Sequence, residues 1–236
     1  MRTLIKNFSI SHIMIRVIAT DIDGTITDLQ RRINLDVIAA FRKVEEKGIR
    51  IILVSGNVLP VTLAYKTFIG TSGPVIAENG GILLFSNQIY KYFEIEPILE
   101  IYRYLLKYMP EAKRILTDRW RETSIALDAS LDIQKIKNIL SNFNVRIEAT
   151  GYGIHITAKE QNKFFGLQKA LELMKISPEE VLAFGDSDND VDMIKNVGVG
   201  VAVGNAFEIV KKNAKMVAEK NGGEGVVETL KILGII

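Results

Sequence analysis

Two short acidic clusters hold the residues of this sequence best suited to chemistry. Asp21-Ile22-Asp23-Gly24-Thr25 follows an apolar run over 15–20, and Gly185-Asp186-Ser187-Asp188-Asn189-Asp190 follows another over 181–184. Asp is depleted from strands, and like charges this close repel one another. Such clusters become sensible when a cation sits between the carboxylates, or when one of them does chemistry. Two strand-end acidic loops so far apart in sequence predict a single site at the carboxyl edge of a sheet.

The pattern between the clusters says what must position them. Residues 15–20 and 49–54 read as strands, and Leu35, Ile38, Ala39, Phe41 and Val44 make a helical stripe that stops at Gly48. The second strand ends in Ser55-Gly56-Asn57, and a helix over 58–69 closes at Gly70. A short strand at 75–77 turns through Asn79-Gly80-Gly81 into 82–85. Alternating strands and helices with short links predict an α/β fold, a doubly wound, largely parallel Rossmann-like sheet. The character then changes. A helix at 97–108, a strand at 124–127, a helix at 131–143 and a hairpin of 145–149 with 153–157 read as a smaller α/β cap. That cap, residues 86–159, is inserted into a core made of 14–85 and 160–236. The core resumes with a helix over 161–174, a single turn at 177–180, and short elements at 199–203, 206–213, 215–218 and 226–233.

Composition narrows the function. The 236 residues suffice for one large α/β domain or a core carrying a smaller one. A net charge of +2 without any basic block gives no support for a nucleic-acid or membrane-surface partner. No stretch approaches the roughly 18 apolar residues of a membrane span. There is no cysteine, which excludes disulfides, thiolate zinc sites and cysteine catalysis, and fits a reducing, cytoplasmic interior. Residues 1–13 read either as an extension ahead of a second start at Met14 or as an ordinary N-terminal arm.

Four signatures appear in order: DIDGT at 21–25, SGN at 55–57, Lys163, and GDSDND at 185–190. With them, the chain from Met14 onward resembles the haloacid-dehalogenase-like phosphatases, in the Cof-type subclass whose α/β cap lies between the second signature and the lysine. The runs SGNVLPV at 55–61 and GTSGPVIAENGG at 70–81 narrow the resemblance to the archaeal phosphoglycolate phosphatase group. Asn57 stands where many broader sugar-phosphatase relatives carry an Arg. The resemblance implies a Mg²⁺-dependent phosphomonoester hydrolase that works through an aspartyl-phosphate and takes 2-phosphoglycolate. It implies Asp21 as nucleophile and metal ligand, and Asp23 as general acid and base that meets the metal through its backbone carbonyl. Asp186 and Asp190 complete the metal shell, with Asp188 and Asn189 behind them. Ser55, Gly56, Asn57 and Lys163 hold the phosphate. Elementary chemistry agrees. A carboxylate attacking phosphorus splits one hard step into two, and a hard cation offsets the repulsion between two anions. Lys163 is followed by Phe164-Phe165, where relatives often have a glycine, which leaves Lys159 and Lys169 as alternatives.

The cap has its own candidates. Arg119, Arg121 and Thr123 precede a cap strand, and His155 alternates with Ile154 and Ile156. Any of the four can face a substrate carboxylate, and His155 reads first as a partly buried cap residue. Gly198, Gly200 and Gly204 lie in or at the end of a strand and read as close-packed backbone, not as a dinucleotide loop. The expected partner is a small phosphorylated metabolite, and the expected assembly a homodimer. Three alternatives stay open: a phosphatase of sugar phosphates or phosphoglycerate-type compounds, a phosphomutase, and a non-catalytic phosphate- or metal-binding module.

Overall fold

The apolar runs that precede the acidic clusters have no polar face to offer water, and the structure buries them on both sides. In this computed structural model, which describes residues 4–5, 14–28 and 30–236, they are the central strands of a nine-stranded sheet. The strands are β1 (Leu4–Ile5), β2 (Val17–Thr20), β3 (Arg50–Val54), β4 (Val75–Ala77), β5 (Ile82–Phe85), β6 (Gln88–Lys91), and, after an insertion, β10 (Val181–Gly185), β11 (Val199–Ala202) and β12 (Met216–Val217). Their order is β1-β12-β11-β10-β2-β3-β4-β5-β6. The middle six are parallel, as strands buried on both faces tend to be, and the edges are antiparallel. The alternative readings of residues 1–13 fall almost entirely outside the described residues.

Helices cover the sheet in two groups. Helix α1 (Leu35–Glu46) packs on α2 (Leu59–Ile69) and on α8 (Gly222–Ile232). Helix α6 (Val191–Lys195) packs between α5 (Lys163–Met174) and α7 (Glu208–Asn213). Local chemistry sets their ends. The Asn34 side chain accepts from the Asp36 and Val37 amides at the start of α1, and Gly70 closes α2 in a left-handed conformation at φ 85°. The stripe Val37, Ala40, Phe41 and Val44 buries α1 against the core.

The insertion forms a second sheet, order β7-β9-β8, all antiparallel, from β7 (Ser124–Leu127), β8 (Val145–Thr150) and β9 (Gly153–Ala158). Helices α3 (Glu96–Tyr108) and α4 (Ile133–Ile139) pack on it around a separate apolar cluster that includes Ile98, Leu105, Ile125, Ile136 and Ile156.

Several elements depart from the sequence expectation. Strand β6 lies inside the span assigned to the insertion, yet it hydrogen-bonds to β5 in the large sheet. The two-residue turn that joins them has Ser86 and Asn87 at positive φ (47° and 66°), the geometry that matches strand twist. This four-residue edge strand is mostly exposed, with Ile89 turned to solvent, so no buried alternation announces it. The expected boundary at residue 86 therefore cuts a core hairpin. Helix α8 begins four residues before 226 despite three glycines in its first turn, and α4 is shorter than the expected 131–143. The glycine that admits α5 is Gly166. A Cβ there would lie 2.6 Å from both Gly80 Cα and Ile76 Cγ2. Close packing of this helix therefore rests on Gly166, and the bulky Phe164-Phe165 pair ahead of it is accommodated.

The two units are tied through the turn at Glu78–Gly80, where Glu78, Asn79 and Gly80 are all left-handed (φ 49°, 53° and 92°). Glu78 is fully buried and accepts from the amides of Glu122 and Thr123 and from the hydroxyls of Thr123 and Ser124. Gln161 Nε2 donates to the Glu78 carbonyl at 2.6 Å. One carboxylate of the core thus holds the entry to β7. Glu78→Ala leaves these buried donors without an acceptor and is expected to cost about 3 kcal/mol. Urea unfolding measures this, and an unchanged midpoint would show that the cap is held by other contacts.

Candidate active site

Register delivers the functional side chains to one edge. Thr20 pairs with Leu53 on one side and Phe184 on the other. The chain therefore leaves the sheet at the same level three times, into Asp21, into Ser55 and into Asp186. Carboxylate oxygens of Asp21, Asp186 and Asp190 all lie within 4.8 Å of one another. Gly24 makes the approach of the two acidic loops possible. It sits at φ 87°, and a Cβ there would come within 2.5 Å of Asp186 Oδ2.

A buried lysine stands at the centre. Lys163 Nζ is 2.6 Å from Asp21 Oδ1 and 2.6 Å from Asp190 Oδ1. Asn162 caps α5 by accepting from the Phe165 amide, which sets Lys163 as the first helical residue and aims it at the sheet edge. Lys159 is exposed and Lys169 pairs with Glu172 at the surface, so neither alternative reaches the acidic loops. Burial opposes the charge on Lys163, but the Asp190 and Asp21 carboxylates outweigh it and hold the lysine above its ordinary value. Burial raises the Asp21 carboxyl well above the usual carboxylate range. Lys163 pulls it down, while Asp190, Asp186 and Asp23 push it further up.

The other acidic groups differ in their partners. Asp190 Oδ2 accepts from the amides of Asp186 and Ser187, each at 3.0 Å. Asp186 accepts from the hydroxyls of Thr25 (2.8 Å) and Ser187 (3.1 Å). The Asp23 carboxylate is held between Asn57 Nδ2 (2.5 Å) and Arg31 Nε (2.7 Å). Asp188 is exposed, whereas Asn189 is buried and donates to Asn79 Oδ1 at 2.9 Å. Ser55 Oγ accepts from the Asn57 amide and side chain, which leaves its own hydrogen free to donate outward. All-oxygen carboxylate donors in a buried triad suit a hard divalent cation, and the like charges crowded there are the strain such an ion relieves.

These groups open into a cleft of about 260 Å³ between the two units. Asp21, Asp23, Gly56, Asn57, Arg121, His155 and Asn189 line it, as do Arg31, Thr117 and Tyr152. The cap candidates separate here. His155 faces Gly56, and burial, then Arg121 and Lys163, hold its imidazole well below the ordinary value. Arg121 is buried, donating to Ser124 Oγ (2.9 Å) and to the Gly56 carbonyl (2.8 Å). Arg119 does not line the cleft. Its guanidinium lies 5.5 Å from the Trp120 ring. Thr123 does not line it either, because its hydroxyl serves Glu78 and Gln161. A one-dimensional reading could not separate these four, since the Gly56 carbonyl that takes Arg121 and the Glu78 carboxylate that takes Thr123 lie more than forty positions away. No motif spacing points to Arg31, Tyr152 or Glu78 as site residues, and Asn79 carries only a turn signal. The one local signal for Arg31 is its place in a polar loop seven residues after the acidic cluster's Gly24.

The family profile of the haloacid dehalogenase-like hydrolases matches residues 18–120 and 108–230. The chain belongs to this family of hydrolases. It is 38% identical over 216 residues to a phosphoglycolate phosphatase of Methanothermobacter thermautotrophicus, covering 92% of this chain and 97% of that one. A phosphoglycolate phosphatase of Picrophilus torridus is 36% identical over 224 residues, covering 94% and 93%. A crystal structure from Thermoplasma acidophilum superposes with a TM-score of 0.84 at 33% identity, over 94% of this chain and all of that one. Among the described residues, no helix is long and apolar enough to cross a membrane.

Proton linkage gives a test of the carboxylate triad. Burial first, and then Asp190, push the Asp186 carboxyl up to about 6, against the Thr25 hydroxyl and Lys163. An unfolded Asp titrates near ~3.9. The folded chain therefore holds this proton more tightly than the unfolded one. On this group alone, stability falls as pH rises from ~4 through about 6, and returns on acidification. A divalent cation binds the ionised carboxylates and reverses that slope. At a hundredfold excess over its dissociation constant it is expected to add about 2.7 kcal/mol at neutral pH. The gain should shrink once the pH drops below about 6. Thermal melts with chelator and with added cation, at acidic and neutral pH, measure both. A gain independent of pH would place the ion away from these carboxylates.

Proposed function

We propose that this hydrolase dephosphorylates small phosphomonoesters, and 2-phosphoglycolate first among them, by a Mg²⁺-dependent route through a phosphorylated Asp21. The observation that carries the proposal is the buried Asp21 carboxylate, which shares Lys163 with Asp190 at the floor of the cleft. The curated relatives named phosphoglycolate phosphatase support the substrate. The cleft volume of about 260 Å³ also supports it, being below the ~300–1,000 Å³ of drug-sized sites.

In this reading the substrate phosphate lies over Asp21, with oxygens on Ser55 Oγ, the amides beside Gly56, and the Lys163 ammonium. Asn57 orients Asp23 and braces Ser55. Asp21 attacks phosphorus while Asp23 gives its proton to the leaving glycolate oxygen. Asp23 then takes a proton from the water that attacks the aspartyl-phosphate, releasing phosphate and regenerating Asp21. Asp21, Asp186, Asp190 and the Asp23 carbonyl would hold Mg²⁺, which when bound would neutralise charge on the transferring phosphoryl group. Arg121 and His155 form the cap side of the cleft, and Asn189 braces the acidic loop. The cap in this proposal runs from the end of the β6 hairpin to residue 159, and the core is the remainder.

A cytoplasmic homodimer is also proposed. The cysteine-free sequence is compatible with a reducing interior, and light scattering is expected to give about twice 26.4 kDa. For the chemistry, Asp21→Asn is expected to keep the fold and lose roughly three powers of ten or more in kcat. Phosphate release from 2-phosphoglycolate, with Mg²⁺ and with chelator, measures this. A wild-type preference for hexose phosphates of about tenfold or more, close to 1.4 kcal/mol, would hand the assignment to the sugar-phosphatase alternative.

A further inference from the structure

Within that reading, the substrate carboxylate still needs a partner, and the covalent structure of the substrate says where the partner must be. In phosphoglycolate one methylene separates the leaving oxygen from the carboxylate carbon. The cation that holds the carboxylate must therefore stand next to the group that reaches the leaving oxygen, which is Asp23.

Among the described residues, two cations line the cleft, Arg121 and Arg31. Arg121 is buried and committed. Its two terminal nitrogens serve Ser124 Oγ and the Gly56 carbonyl, and its Nε lies 3.8 Å from Asp118. It braces the cap against the Ser55 loop. Arg31 differs on each count. Its side chain is half-exposed, its Nε contacts Asp23 Oδ1 at 2.7 Å, and its guanidinium carbon lies 5.0 Å from the ring centre of Tyr152 on the cap. Among the described residues, neither terminal nitrogen of Arg31 has a hydrogen-bond partner. A guanidinium with both outer nitrogens free presents the two-pronged donor that suits a carboxylate.

The backbone is built to hold it there. Thr27 pairs with Ile33, the Asp28 amide donates to the Arg32 carbonyl, and Asp28 Oδ1 accepts from the amides of Gln30 and Arg32. Arg31 sits at the head of this closed loop with φ at 62°, a left-handed conformation uncommon for a non-glycine residue. The loop belongs to the core and Tyr152 to the cap, so Arg31 spans the mouth of the cleft.

We propose that Arg31 is the specificity residue of this enzyme, binding the carboxylate of the substrate through its terminal nitrogens while Asp23 and Tyr152 hold the guanidinium in place. The candidates from the cap sequence are then walls and braces, and selection for an acidic substrate comes from the core loop between β2 and α1.

The test compares phosphoglycolate with 2-hydroxyethyl phosphate, which has the same length but a hydroxymethyl in place of the carboxylate. The readout is the ratio of the two kcat/KM values, in which any effect of Arg31 on Asp23 common to both substrates cancels. Wild type is expected to favour phosphoglycolate. Arg31→Gln is expected to reduce that preference by about tenfold to a hundredfold, mainly through the KM for phosphoglycolate, and Arg31→Lys to restore part of it. A thermal melt checks that each variant is folded. If the wild-type preference survives Arg31→Gln, the inference is overturned while the phosphoglycolate reading stands. If wild type shows no preference for the carboxylate, the reading itself fails and the inference with it.

Discussion

One ammonium group buried among carboxylates is the constraint from which the rest of this structure follows. Lys163 touches Asp21 and Asp190 at 2.6 Å each, with Asp186 close by. Burying these charges carries a desolvation penalty of several kcal/mol per ion, which close contacts offset only in good geometry. The sheet supplies that geometry. Parallel strands β2, β3 and β10 end at one level, and α5 starts with its first side chain aimed at the same point. Asp190 is further fixed by two loop amides. What remains uncompensated is negative charge on the cleft side, and that is the side a cation and a phosphate would occupy.

The second constraint is the attachment of the cap. Small substrates need a second wall, and a wall that wanders would not define a small cleft. Glu78 and Arg121 run in opposite directions across the junction. A core carboxylate accepts from cap donors, and a cap guanidinium donates to a core carbonyl. These contacts form one web of hydrogen bonds across the junction. Arg31 and Tyr152 meet at the front, in a contact that is half-exposed and has no such web of hydrogen bonds. A hydrogen-bonded junction thus stands on one side of the cleft and a half-exposed cation–π contact on the other, with the Arg146–Asp192 ion pair (2.9 Å) as a further tie between cap and core.

Much of this was legible in the sequence. Continuous apolar runs gave the central strands, the acidic loops after them marked the edge of the sheet, and the break in pattern marked an inserted unit with its own core. The elements missed were those without a buried hydrophobic stripe of their own: the short, mostly exposed edge strand at Gln88–Lys91 and the glycine-rich start of α8. In the site, the residues fixed by motif spacing, Asp21, Ser55, Lys163, Asp186 and Asp190, lie together at the sheet edge. The cap residues were not separable, because their status depends on who takes their hydrogen bonds. Thr123 is taken by Glu78, and Arg119 turns to Trp120. Arg31 went unread because it lies in a polar loop, where an arginine is unremarkable until Asp23 and Tyr152 are seen beside it.

The central claim is that Asp21 itself carries the phosphoryl group during turnover. The direct measurement is to quench the enzyme during turnover of 2-phosphoglycolate, reduce with borohydride, and map the peptides by mass. An acyl phosphate on an aspartate is reduced to homoserine. The account predicts homoserine at position 21, and its absence when the Asp21→Asn variant is treated in the same way. A phosphoryl group trapped on any other side chain would contradict it.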